Sequence, residues 1–264
     1  MATLVFFHAH PDDESIATGG SMARAAADGH RVVLVCATRG EHGEVAEGFL
    51  DADETLADRR VKETARSAEI LGVAAVEFLG YVDSGMMGTP ENDRPGSFWM
   101  ADIEEAAERL AAILRREGTD VLTVYDERGG YGHPDHIQVH VVGRRAAALA
   151  GTPRVYAATT SREHFLGLAD LLIDLVPPDM ERPDPDELDL GVPEARITTT
   201  VDVTAALDRK RAAMAAHPSQ ISDESFFLAL PPEAFAMVFG TEWFIRLDQT
   251  PAEPESWILD EVRP

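Results

Sequence analysis

Apolar residues fall in short dense runs separated by longer amphipathic stretches. Thr3-Leu4-Val5-Phe6-Phe7 and Arg31 to Thr38 (RVVLVCAT) are almost unbroken, the pattern of strands covered on both faces. Val76 to Tyr81, Val121 to Tyr125 and Val155 to Thr159 read as three more strands. Between them lie Ser15 to Ala27, Asp58 to Leu71, Met100 to Glu117 and Pro134 to Ala150, all of helical pattern. In the third of these, Ile103, Ala107, Leu110 and Leu114 share one face. Gly72 and Gly118 supply stops, and Pro134 occupies a favoured first position.

This alternation predicts an α/β fold, a Rossmann-like, mostly parallel sheet flanked by helices, over residues 1–160. From Ser161 the rhythm loosens. An apolar helix leads into an acidic, Pro-rich stretch, Pro177 to Asp189, which reads as an exposed loop. Ile197 to Val203 alternates as a strand, Ala205 to Ala216 reads as a helix, and Trp243 to Leu247 adds strand or covering structure. Residues 161–264 are therefore expected to form a smaller C-terminal extension packed on the same domain.

Two turns stand out chemically. His8-Ala9-His10-Pro11-Asp12-Asp13-Glu14 follows the first strand, and Gly129-Gly130-Tyr131-Gly132-His133-Pro134-Asp135-His136 follows the fourth. Turns usually favour Gly, Ser or Asn, so this density of titratable groups points to chemistry. In a parallel sheet both turns lie on the carboxyl edge, where open α/β sheets place ligands. His10 and Asp13 have a chelating separation across a turn. Asp12 and Asp13, being neighbours, point apart, so one can bind metal while the other faces water. Pro134 pushes His133 out of helical geometry while His136 lies in the first turn, so these two also have different roles. Two imidazoles and one carboxylate are the ligand set of many catalytic zinc sites.

Charge narrows the partners. With 23 Lys and Arg against 47 Asp and Glu, the net charge is −24, which repels phosphate backbones and anionic lipid surfaces. Neither nucleic acid nor membrane is an expected partner. The single Cys36 reads as a small buried hydrophobe, consistent with a reducing compartment. No basic leader opens the sequence and no run approaches the ~18 apolar residues needed to cross a bilayer. A cytoplasmic protein is expected; oligomeric state is not readable.

His10-Pro11-Asp12-Asp13-Glu14 together with His133-Pro134-Asp135-His136 resembles the PIG-L/LmbE-like N-deacetylases, nearest the actinobacterial branch that processes mycothiol precursors and conjugates. Arg60, Asp83-Ser84-Gly85-Met86, Gly129-Gly130-Tyr131-Gly132 and Ala216-His217 extend the likeness, which is dense over residues 4–159. The resemblance implies His10, Asp13 and His136 as ligands of Zn2+, with Fe2+ able to fill the same donors. It implies Asp12 as the general base acting on a zinc-bound water. His133, oriented by Asp135, would stabilise the tetrahedral intermediate or protonate the leaving amine, and Tyr131 would help polarise the carbonyl. Arg60 and Asp83 would contact sugar-type groups, with Met86 lining the pocket. The implied reaction removes an acyl group, most simply acetyl, from a small-molecule N-acylated amino-sugar conjugate. A mycothiol-conjugate amidase cleaving a larger amide is the near alternative, and a non-catalytic sugar-binding Rossmann-like module the distant one.

Blander readings compete at single positions. Asp12 could be a helix cap. His133 could be a supporting histidine. Arg60 sits beside Arg59 on a helix carrying Lys62 and Arg66, so a solvated basic face is the default. His140 lies one turn after His136 but lacks the Glu of an HExxH pair, and ordinary helix placement is favoured. His8 reads as a strand-end or supporting residue, and His30, His42 and His164 as surface or loop. Glu41 and Glu44 read as acidic loop, and Trp99 and Trp243 as core or lid. His217, in Ala-His-Pro-Ser-Gln, is on a loop that could reach the pocket.

Overall fold

A computed structural model describes residues 1–173 and 191–260. Its elements are β1 (Thr3–His8), α1 (Asp13–Ala17), α2 (Gly19–Ala27), β2 (Arg31–Cys36), α3 (Leu56–Leu71), β3 (Ala75–Phe78), α4 (Ile103–Glu117) and β4 (Val121–Tyr125). A short kinked turn, α5 (Gly129–Gly132), leads to α6 (Pro134–Ala150), β5 (Arg154–Thr159) and α7 (Arg162–Ile173). After the gap come β6 (Thr199–Asp202), α8 (Leu207–Met214), α9 (Phe226–Ala229), α10 (Pro232–Phe239) and β7 (Thr241–Arg246). The acidic Pro177 to Asp189 stretch lies outside the described residues.

The seven strands form one sheet in the order β3-β2-β1-β4-β5-β7-β6. The first five are parallel; β7 pairs antiparallel with β5 and with β6. The expected Rossmann-like sheet is present, and the strand order reverses direction between β1 and β4. That reversal opens a crevice at the carboxyl ends of β1 and β4, and the two titratable turns issue from those ends.

Period-two alternation explains why β1 and β2 read as unbroken apolar runs. Val5, Phe7, Val33 and Val35 face α4 and α6, packing with Leu110, Leu114, Val139 and Val142. Leu4, Phe6, Val32, Leu34 and Cys36 face the other way, against Met22 and Leu71 and against Val201, Phe244 and Ile258 from the C-terminal segment. Cys36 is thus a buried small hydrophobe, as expected. Among the described residues no helix is long and apolar enough to cross a membrane.

The expected Ser15 to Ala27 helix is two helices broken at Thr18 (φ −137°, ψ 7°). Thr18 Oγ1 is hydrogen-bonded to His8 Nε2 at 2.9 Å, tying the break to the end of β1. Glu242 of β7 then caps α2, its carboxylate accepting the Gly20 and Ser21 N–H groups at 2.8 and 2.9 Å. Gly20 is required there because a Cβ would sit 2.5 Å from Val203 Cβ. The helix expected from Met100 starts at Ile103, because the Asp102 side chain caps it by accepting Glu105 N–H at 2.9 Å. The Ala205 to Ala216 helix is reduced to α8 after a short 3-10 turn.

Glu242 also pairs with Lys210 Nζ of α8 at 2.6 Å, both side chains being buried. One carboxylate therefore joins β7, α2 and α8, fastening the C-terminal segment to the first helical layer. Glu242→Ala would strand a buried ammonium and two helix-terminal N–H groups. It is expected to lower unfolding free energy by about 3–5 kcal/mol in urea titrations, whereas a loss under ~1 kcal/mol would show the contact to be dispensable.

A candidate metal centre between two turns

The turn after β1 is bent sharply. Asp12 has φ 96° and ψ −38°, a region L-residues rarely occupy; holding it there costs on the order of 1–3 kcal/mol and requires surrounding structure to over-determine it. Ser15 N and Oγ both donate to Asp12 C=O, at 3.0 and 2.7 Å. The Asp12 N–H donates to Glu14 Oε2 at 2.9 Å, and Arg60 reaches in from α3 to donate to Asp12 Oδ1 at 3.0 Å and to the Pro11 carbonyl. Although it heads α1, Asp12 makes no side-chain cap bond, so that reading fails. Burial raises its carboxyl to about 6, with Arg60 opposing the rise.

The turn after β4 is made by glycines. Asp126 anchors it by accepting the Arg128 and Gly130 N–H groups at 2.9 and 3.1 Å. Gly129, at φ 64°, lies so close to α6 that a Cβ would be 2.6 Å from His136 Cβ. His133 is the N-cap of α6, in extended conformation as Pro134 demands, and its Nδ1 accepts the Asp135 N–H at 3.1 Å.

These two turns bring the expected ligands together. Asp13 Oδ2 lies 3.3 Å from His10 Nδ1 and 3.4 Å from His136 Nε2, and the two imidazole centroids are 5.4 Å apart. Among the described residues His136 Nε2 is buried without a hydrogen-bond partner, which is unusual for a polar atom. Burial alone would lower His10, but its bonds to Asp13, Asp135 and Asp83 raise it well above the ordinary histidine value. Conversely, burial would raise Asp13, yet His136 and His10 hold it well below the usual carboxylate range. The pocket favours positive charge where His10, Asp13 and His136 converge, which is the character of a cation site. One nitrogen each of His10, His133 and His136 also lies within 4.8 Å of the others, as do donor atoms of His10, Asp83 and Asp135. The residues present therefore fit a divalent ion.

Supporting contacts orient the set. Tyr125 stacks on His136 with centroids 4.3 Å apart and planes 8° from parallel, and its hydroxyl meets His8 Nδ1 at 2.8 Å. Both His8 ring nitrogens are engaged, Nδ1 by Tyr125 and Nε2 by Thr18, and burial lowers the ring to about 4, so it stands as a neutral support of this layer. Asp135, fully buried, differs from expectation. Its carboxylate contacts His10 Nε2 at 3.1 Å, and only its backbone N–H touches His133. A carboxylate on the far nitrogen of a ligating histidine is the usual orienting partner in metal sites. Ser84 holds that carboxylate in turn through its N–H, at 2.9 Å, and its hydroxyl, while Asn92 Nδ2 clasps the Ser84 carbonyl at 2.6 Å.

The remaining candidates sit around this centre. Asp83 lies 3.6 Å from His10 Nε2, accepts the Gly85 N–H at 2.8 Å, and is held low because His10 contacts outweigh burial. Arg60 is buried, unlike its exposed neighbour Lys62, with NH1 on the Gly40 carbonyl at 2.9 Å and NH2 on the Asp12 turn. Tyr131 and Met86 are both about half exposed, and the Tyr131 ring centroid is 5.0 Å from that of His136. His140 bonds the Tyr125 carbonyl at 2.8 Å, an ordinary helix placement. Glu41 bonds the Asp83 N–H at 3.0 Å and is not free loop. Ser84, Tyr125 and Glu14 support the site without having been assigned a role; Ser84 and Glu14 stood inside the quoted motifs, while Tyr125 was marked only as the end of the fourth strand.

Comparison with known proteins agrees with this geometry. Residues 5–147 match the PIG-L family, described as GlcNAc-PI de-N-acetylase. The chain belongs to the PIG-L family. Proteins named 1D-myo-inositol 2-acetamido-2-deoxy-α-D-glucopyranoside deacetylase are similar almost end to end. The one from Thermomonospora curvata is 42% identical, covering 93% of this chain and 90% of its own length. The one from Acidothermus cellulolyticus is 43% identical, covering 95% and 90%. Among solved structures, N,N'-diacetylchitobiose deacetylase from Pyrococcus horikoshii superposes with a TM-score of 0.62 at 24% identity, covering 93% of this chain and 84% of that one. A 4-carboxy-2-hydroxymuconate hydratase from Pseudomonas putida KT2440 gives 0.63 at 22%, covering 96% and 99%. The PIG-L fold thus carries more than one chemistry, and likeness at that distance speaks for the architecture alone.

Gly129→Ala tests whether the glycine turn sets this centre. The added methyl would push on the His136 backbone and is expected to weaken retention of an added divalent metal about tenfold or more in chelator competition. Unchanged affinity would show that His136 is placed independently of the turn.

Proposed function

We propose that this PIG-L member is a zinc-dependent hydrolase that removes the acetyl group from an N-acetylglucosaminyl-inositol type of small-molecule conjugate. The observation that carries the reading is the convergence of Asp13 Oδ2 on His10 and His136 with the Asp12 carboxylate one residue away, tethered by Arg60. The substrate class rests on the end-to-end relatives, whose names specify a 2-acetamido sugar on inositol. Those names favour acetyl removal over cleavage of a larger amide.

His10, Asp13 and His136 would hold the ion, with Asp135 and Ser84 orienting His10. When bound, zinc acts as a Lewis acid that polarises a carbonyl and makes water a better nucleophile near neutral pH. The protein supplies the proton chemistry. Asp12, raised to about 6, is matched to accept a proton from the attacking water at neutral pH. As the carbon–nitrogen bond breaks, the same carboxyl can return that proton to the departing amine, leaving acetate.

His133 suits a different task. Its Nδ1 accepts a backbone N–H, so in the neutral ring the proton belongs on Nε2. Burial, reinforced by His10 and His136, lowers it to about 4, keeping it neutral. A neutral Nε2–H is a hydrogen-bond donor for the oxyanion of the tetrahedral intermediate, a role Tyr131 at the rim can share. Asp83, Met86 and the loop around them border the sugar side. With Arg60 NH1 and NH2 spent on main chain and Asp12, holding the base is its better-supported role.

Two substitutions separate these roles. Asp12→Asn should keep a full complement of zinc while amine release from N-acetylglucosaminyl-inositol falls by about 10²–10⁴-fold; undiminished turnover would remove Asp12 from the base role. His136→Ala should lose metal and activity together, and a variant retaining stoichiometric zinc in metal analysis would refute its assignment as a ligand. Chelation should abolish activity and zinc restore it, with iron(II) tested beside it because it suits the same donors.

A further inference from the structure

The C-terminal segment reaches the turn after β1 through His217. His217, just beyond α8, is fully buried, and its Nε2 lies 2.8 Å from Glu14 Oε1. Glu14 is also fully buried, and its two oxygens are divided between distinct tasks. Oε1 faces His217 and accepts from Ser67 Oγ at 2.6 Å, while Oε2 accepts the Asp12 N–H at 2.9 Å. Among the described residues His217 Nδ1 has no hydrogen-bond partner, and the ring's polar contact is Glu14.

We infer that His217 is a positioning residue for Asp12, acting through Glu14 to hold the bent turn that aims the catalytic carboxylate. The inference rests on the reading of Asp12 as the base. Asp12 occupies a backbone region that its own preferences disfavour, so the acceptor on its N–H must itself be fixed. A buried carboxylate stays fixed only where its lone pairs are matched by donors, and His217 supplies the one that comes from the C-terminal segment. The loop carrying it is pinned. The His217 carbonyl accepts Gln220 and Ile221 N–H at 2.9 and 2.8 Å, and Ser219 donates to Glu63 of α3 through N and Oγ at 3.0 and 2.6 Å. Glu63 and Arg60 lie on the same helix, so both supports of the Asp12 turn are referenced to α3. Without exposure, His217 cannot touch substrate; its influence passes through Glu14.

The test uses the full-length zinc-loaded enzyme and N-acetylglucosaminyl-inositol. His217→Ala should retain zinc stoichiometry and lower kcat about 30-fold or more with KM within threefold. His217→Gln, whose amide can still donate to Glu14, should recover most of that loss. Asp12→Asn with His217→Ala should be no slower than Asp12→Asn alone, because both remove one function. Hydrogen exchange should quicken in a peptide spanning residues 10–16 of His217→Ala, a readout independent of turnover. If His217→Ala fails to fold, His217→Leu, which fills the same space and cannot donate to Glu14, takes its place in the kinetic, exchange and double-mutant comparisons. Turnover of His217→Ala within twofold of wild type, multiplicative losses in the double mutant, or a loss traced to missing zinc would each overturn the inference. Full activity of Asp12→Asn would instead overturn the base assignment beneath it, so the two failures are distinct.

Discussion

Everything in this molecule depends on holding like charges together at the end of a buried strand. Asp12, Asp13 and Glu14 follow one another directly, and Asp83 and Asp135 are brought in from other turns, so that five acids share one end of the crevice and three of them lie within 3.6 Å of a His10 nitrogen. Left alone such a cluster would repel itself apart or take up protons. It persists because each acid has a counterpart: Arg60 for Asp12, His10 and His136 for Asp13, His217 for Glu14, and His10 for both Asp83 and Asp135, with Ser84 added on the last. On the proposed reading, a divalent ion between His10, Asp13 and His136 would complete that balance rather than disturb it.

The fold makes this division practical. A strand-order reversal gives two adjacent strand ends whose following turns diverge to opposite faces, so ligands from residues 10–13 and 133–136 meet without a long loop. The helices behind them serve as reference frames. α6 fixes His136 against Tyr125, and α3 reaches across with Arg60. The antiparallel β7 and β6 extend the sheet, and Glu242 ties β7 to α2 and α8, so that α8 delivers His217 beneath the first turn. What looks from the sequence like an appendage is built into the support of the site.

Much of this was legible beforehand because its signals are local. Dense apolar runs marked the parallel strands, and histidines and aspartates at strand ends marked the centre. The misreadings were non-local. Nothing near Thr18 announces that His8 and Glu242 will split a helix there. Asp135 was expected to orient His133, but its carboxylate turns to His10 because Ser84, from a loop after β3, holds it. Arg60 read from its own helix as one of a row of solvated bases and from the resemblance as a substrate contact, and only the path of the Asp12 turn shows why it faces inward. His217 could not be weighted from its own segment, since its partner lies 203 residues away.

The most direct test of the account is anomalous diffraction at the zinc edge from crystals of the protein grown with zinc. The account predicts one strong peak within coordination distance of His10 Nδ1, an Asp13 carboxylate oxygen and His136 Nε2, with Asp12 beside it and not bound. A peak ligated by His133 in place of Asp13, a peak between Asp83 and Asp135, or none at the convergence of the two turns would contradict it.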